Sequence, residues 1–179
     1  MRIGWFALLP LMTISLSAPN FAQAKRHRQS EQTIFSAEDE SVKKPVSIPE
    51  DVLAILRQDE MVRNVLEGGK IPADKIPSTW FSASVIHLAN PTEQDLIVLG
   101  EEELRGANVI AFWVFRSTPH GHERVMMAHE HDLIVKRVWW KGYREIELMS
   151  SSAVEWSSVL LRWNGKEYVA YREKSGSIR

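Results

Sequence analysis

The sequence predicts an α+β fold, with an N-terminal helical segment packed on an antiparallel meander of about seven to eight strands. Three observations carry that prediction. Apolar residues recur at helical spacing between residues 47 and 66. Eight short segments after residue 79 carry strand patterns, and turn residues separate them.

The helix comes first. Ser47-Ile48-Pro49-Glu50 has the S-x-x-E spacing of a capping box, with proline near the helix start, where its missing N–H does little harm. Val52, Ile55, Leu56, Val62, Val65 and Leu66 form one amphipathic stripe that Gly68-Gly69 ends, and a break near Asp59 is expected. After the proline-punctuated loop Ile71–Pro77 the expected strands are Trp80–Leu88, Asp95–Leu99, Val109–Arg116, Glu123–Ala128, Leu133–Trp140, Arg144–Met149, Val154–Trp163 and Glu167–Arg172. Asn90-Pro91, Arg105-Gly106, Pro119-His120-Gly121, Lys141-Gly142 and Asn164-Gly165 mark the turns. Among these, Asn164-Gly165 is the strongest hairpin signal, since Asn-Gly supplies the two positive-φ residues of a type I′ turn. Val109 to Phe115 is apolar on both faces, which suits a central strand covered on each side.

The chain begins as an exported protein does. Arg2, the apolar stretch Ile3–Leu16 and the small-residue end Ala22-Gln23-Ala24 make the pattern of a cleavable signal peptide over 1–24. That stretch is shorter than the ~20 apolar residues a bilayer span needs. No cysteine follows it to carry a lipid. Residues 25–46 are polar and charged apart from Ile34, Phe35, Val42 and Val46, and are expected as a disordered linker; 47–179 form the single α+β domain. Removing 24 of the 179 residues leaves 155, enough for one self-sufficient core. With 22 basic and 23 acidic side chains, the chain lacks the cationic excess that phosphate backbones demand, so nucleic acid is not an expected partner.

Few residues announce chemistry. Four of six histidines lie in Pro119–Leu133, as His120-Gly121-His122 and His129-Glu130-His131. Seven residues of extended chain between the pairs span ~23 Å, too far for one ion with Zn–N bonds of about 2 Å. They read as solvated turn residues, with a weak metal site at His129 and His131 as the alternative; no metal or cofactor is expected. A nucleophile elbow, a P-loop, a G-x-G-x-x-G motif and thiol nucleophiles are all missing. Six tryptophans remain after residue 24: Trp80, Trp113, Trp139, Trp140, Trp156 and Trp163. Trp113 reads as core. Trp139 and Trp140 are adjacent, so in a strand they point to opposite faces, and one of them can join Tyr143 in an exposed aromatic patch.

From Trp80 onward the chain resembles a group of uncharacterised secreted bacterial β-rich proteins. The resemblance is carried by Phe112-Trp113-Val114-Phe115-Arg116, Gly142-Tyr143-Arg144-Glu145-Ile146-Glu147 and Leu161-Arg162-Trp163-Asn164-Gly165-Lys166-Glu167-Tyr168. That group is in turn distantly similar to single FG-GAP/VCBS-type repeat units, with His87 to Val98 in the place of their calcium loop and short strand. His87 stands where an aspartate ligand is expected and no Asp-Gly follows, so no calcium is carried over with the resemblance. It implies export and a β-rich fold, and no particular activity.

These readings lead to an exported, periplasmic or extracellular, binding or interaction module. Its expected contact residues are Trp139, Trp140, Tyr143 and Arg144, and its expected partner is a protein or a cell-wall glycan. The alternative is an envelope hydrolase whose carboxylates, such as Asp95, Glu101 or Glu123, converge only in the fold.

Overall fold

A computed structural model describes residues 31–65 and 69–178. The expected signal peptide, residues 25–30 of the expected linker, the helix end at Leu66 and the stop at Gly68 lie outside the described residues.

Nine strands form among the described residues: β1 Ile34–Ser36, β2 Phe81–Ile86, β3 Asp95–Gly100, β4 Ile110–Thr118, β5 Gly121–Glu130, β6 Asp132–Trp140, β7 Tyr143–Ser151, β8 Glu155–Trp163 and β9 Tyr168–Ser177. All pairings are antiparallel, and helices are few. The expected single meander is corrected on one point. The strands divide into a four-stranded sheet, β2-β3-β4-β5, and a five-stranded sheet, β1-β6-β7-β8-β9. The crossing is at His131, one residue between the ends of β5 and β6, whose N–H donates to the Met149 carbonyl of the second sheet.

A second correction concerns residues 31–46. In place of a disordered linker, they carry β1, which pairs Ile34, Phe35 and Ser36 with Ile134, Leu133 and Asp132 of β6. Phe35 is fully buried and Val42 nearly so, both in the core between the sheets. Their scarcity in a polar stretch hides them, because their partners lie about a hundred residues away in sequence.

Two apolar layers result. Between the sheets lie Ile97, Leu99, Phe112, Val114, Leu133, Val135, Ile146, Leu161 and Trp163, among others. On the other face of the four-stranded sheet, Val98, Trp113 and Phe115 meet Val52, Leu53 and Leu56 of α1 (Glu50–Gln58) and Val62 of α2 (Glu60–Arg63). Residues 110–115 of β4 are accordingly buried on both faces, as their continuous apolar run predicts. Opposite Val114 and Phe115 the register shifts, with Met126 and Arg124 as partners. The resulting bulge lets consecutive Val125 and Met126 both enter the inter-sheet core.

Helix signals are only partly realised. The break falls at Asp59, whose carboxylate accepts from the Met61 N–H to cap α2. Pro49 occupies the cap position of α1 without a side-chain cap bond, so the Ser47–Glu50 capping box is not used. The type I′ geometry is not at Asn164-Gly165. Asn164 is absent from the positive-φ residues, and its side chain instead accepts from the N–H groups of Lys166 and Glu167 in a four-residue loop. Lys141 and Gly142, at φ 49° and 82°, form the two-residue type I′ turn that pairs Trp140 with Tyr143.

Candidate functional site

The four expected contact residues do not share one surface. Arg144 is 6% exposed, and its guanidinium donates to the carbonyls of Val135, Lys136 and His87 and pairs with Glu31 at 2.8 Å. Its backbone N–H donates to the Leu88 carbonyl, and its carbonyl accepts from the Tyr168 hydroxyl. Arg144 therefore fastens the β2–β3 loop and the N-terminal segment to the five-stranded sheet, and the expectation that it contacts a ligand is corrected. Tyr143 is half-buried, stacked on Trp163 at 4.5 Å, with its hydroxyl accepting from Arg116. It too belongs to the frame. Trp139 and Trp140 are 51% and 40% exposed, as side chains near a hairpin apex can be.

What Trp140 joins was not visible in the sequence. Its ring faces Tyr171 of β9 at 6.4 Å between centroids and 25° between planes. The guanidinium carbon of Arg162, on β8, lies 4.2 Å from the Trp140 ring centre and 3.4 Å from that of Tyr171. Arg162 is held by a 2.6 Å hydrogen bond from Nε to the buried Glu145 carboxylate. The cluster thus draws on four adjacent strands and lies on the five-stranded sheet's outer face, away from the core. A cation between two aromatic faces fixes both rings at little entropic cost on binding. Tyr171 and Arg162 carry no sequence signal of their own, since only the β8–β9 register brings them together with Trp140.

Beside this cluster lies a shallow depression of about 170 Å³ lined by Lys136, Glu145, Glu147, Ser158, Leu160, Arg172 and Lys174. The Lys136 ammonium beside Glu147 holds its carboxyl below the usual carboxylate range, and the Ser158 hydroxyl donates to the same carboxylate. A larger open groove of about 850 Å³ runs between the helices and β5, lined by Ile55, Asp59, Met61, Arg124 and Met127. Its Asp59–Arg124 pair is structural. Asp59 accepts from Met61 N–H, Trp113 Nε1 and Arg124, and so caps α2 and ties it to β4 and β5.

Two of the four histidines are anchored and two are solvated, which corrects the turn reading for His122 and His131. His122 contacts the Asp51 carboxylate at 2.9 Å from both its backbone N–H and its ring. His131 sits 3.0 Å from Asp132 and 3.7 Å from Glu38, while His120 and His129 are exposed. Among the described residues no group of three or more His, Cys, Asp or Glu side chains is placed to hold a metal ion.

The carboxylates named for a hydrolase stand apart. Asp95 and Glu101 lie at opposite ends of β3. Asp95 is fully buried and accepts from the N–H groups of Leu88 and Ser117; burial pushes its carboxyl up, against those two bonds. Glu101 binds Ser82 and Arg105, and Glu123 binds Arg116. Each is engaged in a different structural tie. Compared with protein-family models, with curated proteins and with solved structures, the chain finds no match in any of the three.

Proposed function

We propose that this protein is an exported binding domain that engages a partner through the outer face of its five-stranded sheet. The signal-peptide pattern of residues 1–24 supports export to the periplasm or beyond. The observation that carries the binding reading is the Trp140–Arg162–Tyr171 stack, which leaves Trp140 40% and Tyr171 53% exposed on a face that no described element covers. Leaving such rings exposed to water forgoes the gain of burying their apolar area, and aromatic and arginine residues are the usual anchors of a contact surface. A protein or a cell-wall glycan is the partner this chemistry admits. The Lys141-Gly142 turn sets the rim of the surface, and Trp139 lies beside it.

Envelope extract passed over the immobilised full-length protein tests the reading. Trp140→Ala and Tyr171→Ala should each reduce capture of the retained species by about tenfold, as loss of a hot-spot aromatic does. Equal capture by wild type and both variants would remove this surface from consideration.

A further inference from the structure

Resting on that reading of the surface, we infer that its ligand is an acidic glycan, stacked against Trp140 and Tyr171 and ion-paired to Arg172 and Lys174. The argument begins with charge. Four cations, Lys136, Arg162, Arg172 and Lys174, and two acids, Glu145 and Glu147, stand on this face. Lys136 is paired with Glu147 and Arg162 with Glu145. That leaves Arg172 and Lys174. Among the described residues neither has a carboxylate within ion-pair distance, although Lys174 is close enough to help lower the Glu147 carboxyl electrostatically. Arg172 instead approaches the Tyr171 ring at 5.7 Å. Among the described residues, then, two cations without an ion-pair partner stand on one strand, Arg172 beside the Tyr171 ring and Lys174 further along the depression.

The floor of the depression discriminates between partners. Seven residues line it, and Leu160 is its only apolar one. A protein interface of useful affinity has an apolar centre and a polar rim, and this face has the reverse arrangement: a polar centre with aromatics at one margin. A hydroxyl-rich chain meets such a floor with hydrogen bonds to Ser158, Glu147 and Lys136 and lays a sugar ring against an aromatic. Arg172 and Lys174 are two residues apart in an extended strand, roughly 6–7 Å, so that both can reach one charged chain laid along the strand. A nucleic acid would need a longer run of cations than two.

The test titrates the full-length protein with an oligogalacturonate, which bears one carboxylate per sugar, and with a neutral cello-oligosaccharide of equal length, by calorimetry. Parallel runs use vesicles of an anionic phospholipid. The oligogalacturonate should bind at least about tenfold more tightly than the neutral sugar and should weaken as salt rises from about 50 to about 200 mM. Arg172→Ala combined with Lys174→Ala should weaken it by about tenfold or more while leaving the melting temperature unchanged, because both side chains are exposed. Arg172→Lys should retain part of the affinity. Equal binding of the neutral sugar, an unaffected double variant, no binding of the oligogalacturonate, or binding to the vesicles alone would each overturn the proposal. If envelope capture still depends on Trp140 while the oligogalacturonate fails to bind, the surface stands and only the ligand class falls.

Discussion

The two sheets of this sandwich differ in what they can be used for. The four-stranded sheet is covered twice, by the helices on one face and by the other sheet on the other, so all six residues of β3 and the first six of β4 are buried. Its side chains are consumed in packing. Among the described residues the five-stranded sheet is covered once. Along β7 and β8 accessible residues are interspersed with buried ones, and this sheet carries the aromatic stack and the charged depression. Contact chemistry is free to vary only on a face that the core does not claim. The difference between the sheets explains why residues of the same type, such as Trp113 and Trp140, play opposite parts.

That contrast breaks most visibly if the two tryptophans are exchanged for alanine. Trp113 is fully buried between α1 and the sheet, edge-on to Phe81 at 5.9 Å, and its Nε1 reaches Asp59. Trp113→Ala should cost about 3–5 kcal/mol. Trp140→Ala should stay within about 1 kcal/mol, the loss of a partly exposed ring and its cation contact. Chemical denaturation of the two variants measures both; comparable losses would mean that the outer face is structural.

A smaller effect is expected where the sheets are tied. Arg144→Ala removes the donors that satisfy the carbonyls of Val135, Lys136 and His87 and leaves Glu31 to its contacts with His87. Buried groups left unpaired cost about 1–3 kcal/mol each, tempered here by the access of water to Glu31, so a loss of about 2–4 kcal/mol is expected. Because β1 and the preceding residues hang on this link, limited proteolysis of the variant should begin within residues 31–46, ahead of the sheets. Cleavage elsewhere first would show that Arg144 is not the fastening.

Next in size is the link from α1 to the β4–β5 turn. Gly121, at φ 114°, lets the Asp51 carboxylate approach so closely that a Cβ there would stand 2.8 Å from Oδ2. Burial raises the Asp51 carboxyl, but its bonds from His122 outweigh this and hold it below the ordinary 3.8. A group held below its unfolded value stabilises the fold above that value and loses its contribution as pH falls through the folded value. Asp51→Asn should therefore cost up to about 1 kcal/mol at neutral pH, discounted for solvent exposure, and the difference should shrink below pH 3.8. A constant difference from pH 7 to pH 2.5 would show that the carboxylate charge is not what matters.

Much of this architecture was legible in the sequence, for identifiable reasons. All eight strands expected after residue 79 are present, because alternation and turn residues are local signals. The two-sided burial of β4 and the break at Asp59 followed from apolar runs and spacing. What could not be read depends on contacts distant along the chain. β1 has three residues and gains its structure from β6, and the division into two sheets turns on the direction taken at His131. Arg144 looked like a surface cation because nothing local reveals the three carbonyl groups and the carboxylate that converge on its guanidinium. The site itself was half legible: Trp140 could be named, whereas Tyr171 and Arg162 enter only through the register of β8 with β9, which a bulge between Leu160 and Leu161 shifts by one residue.

The smallest expected effect separates stability from contact on the open sheet. Two hairpins close the same end of that sheet, and their turn residues are the reverse of what each geometry favours. Asn164-Gly165, the pair suited to a type I′ turn, sits in a four-residue loop, while Lys141 occupies the first positive-φ position of the turn that is type I′. A side chain with a Cβ is strained at φ near 50°, and asparagine tolerates that region better than lysine. Lys141→Asn should thus raise stability by about 0.5 kcal/mol, a shift of about 1–2 °C in melting temperature for a protein of this size. Lys141 is not among the residues that line the depression or touch the aromatic stack. Ligand affinity at the outer face should therefore change by less than about twofold in the same variant. A large loss of affinity would place Lys141 within the contact surface and extend it over the hairpin tip toward Trp139; a loss of stability would mean that the lysine makes a contact worth more than the strain it bears.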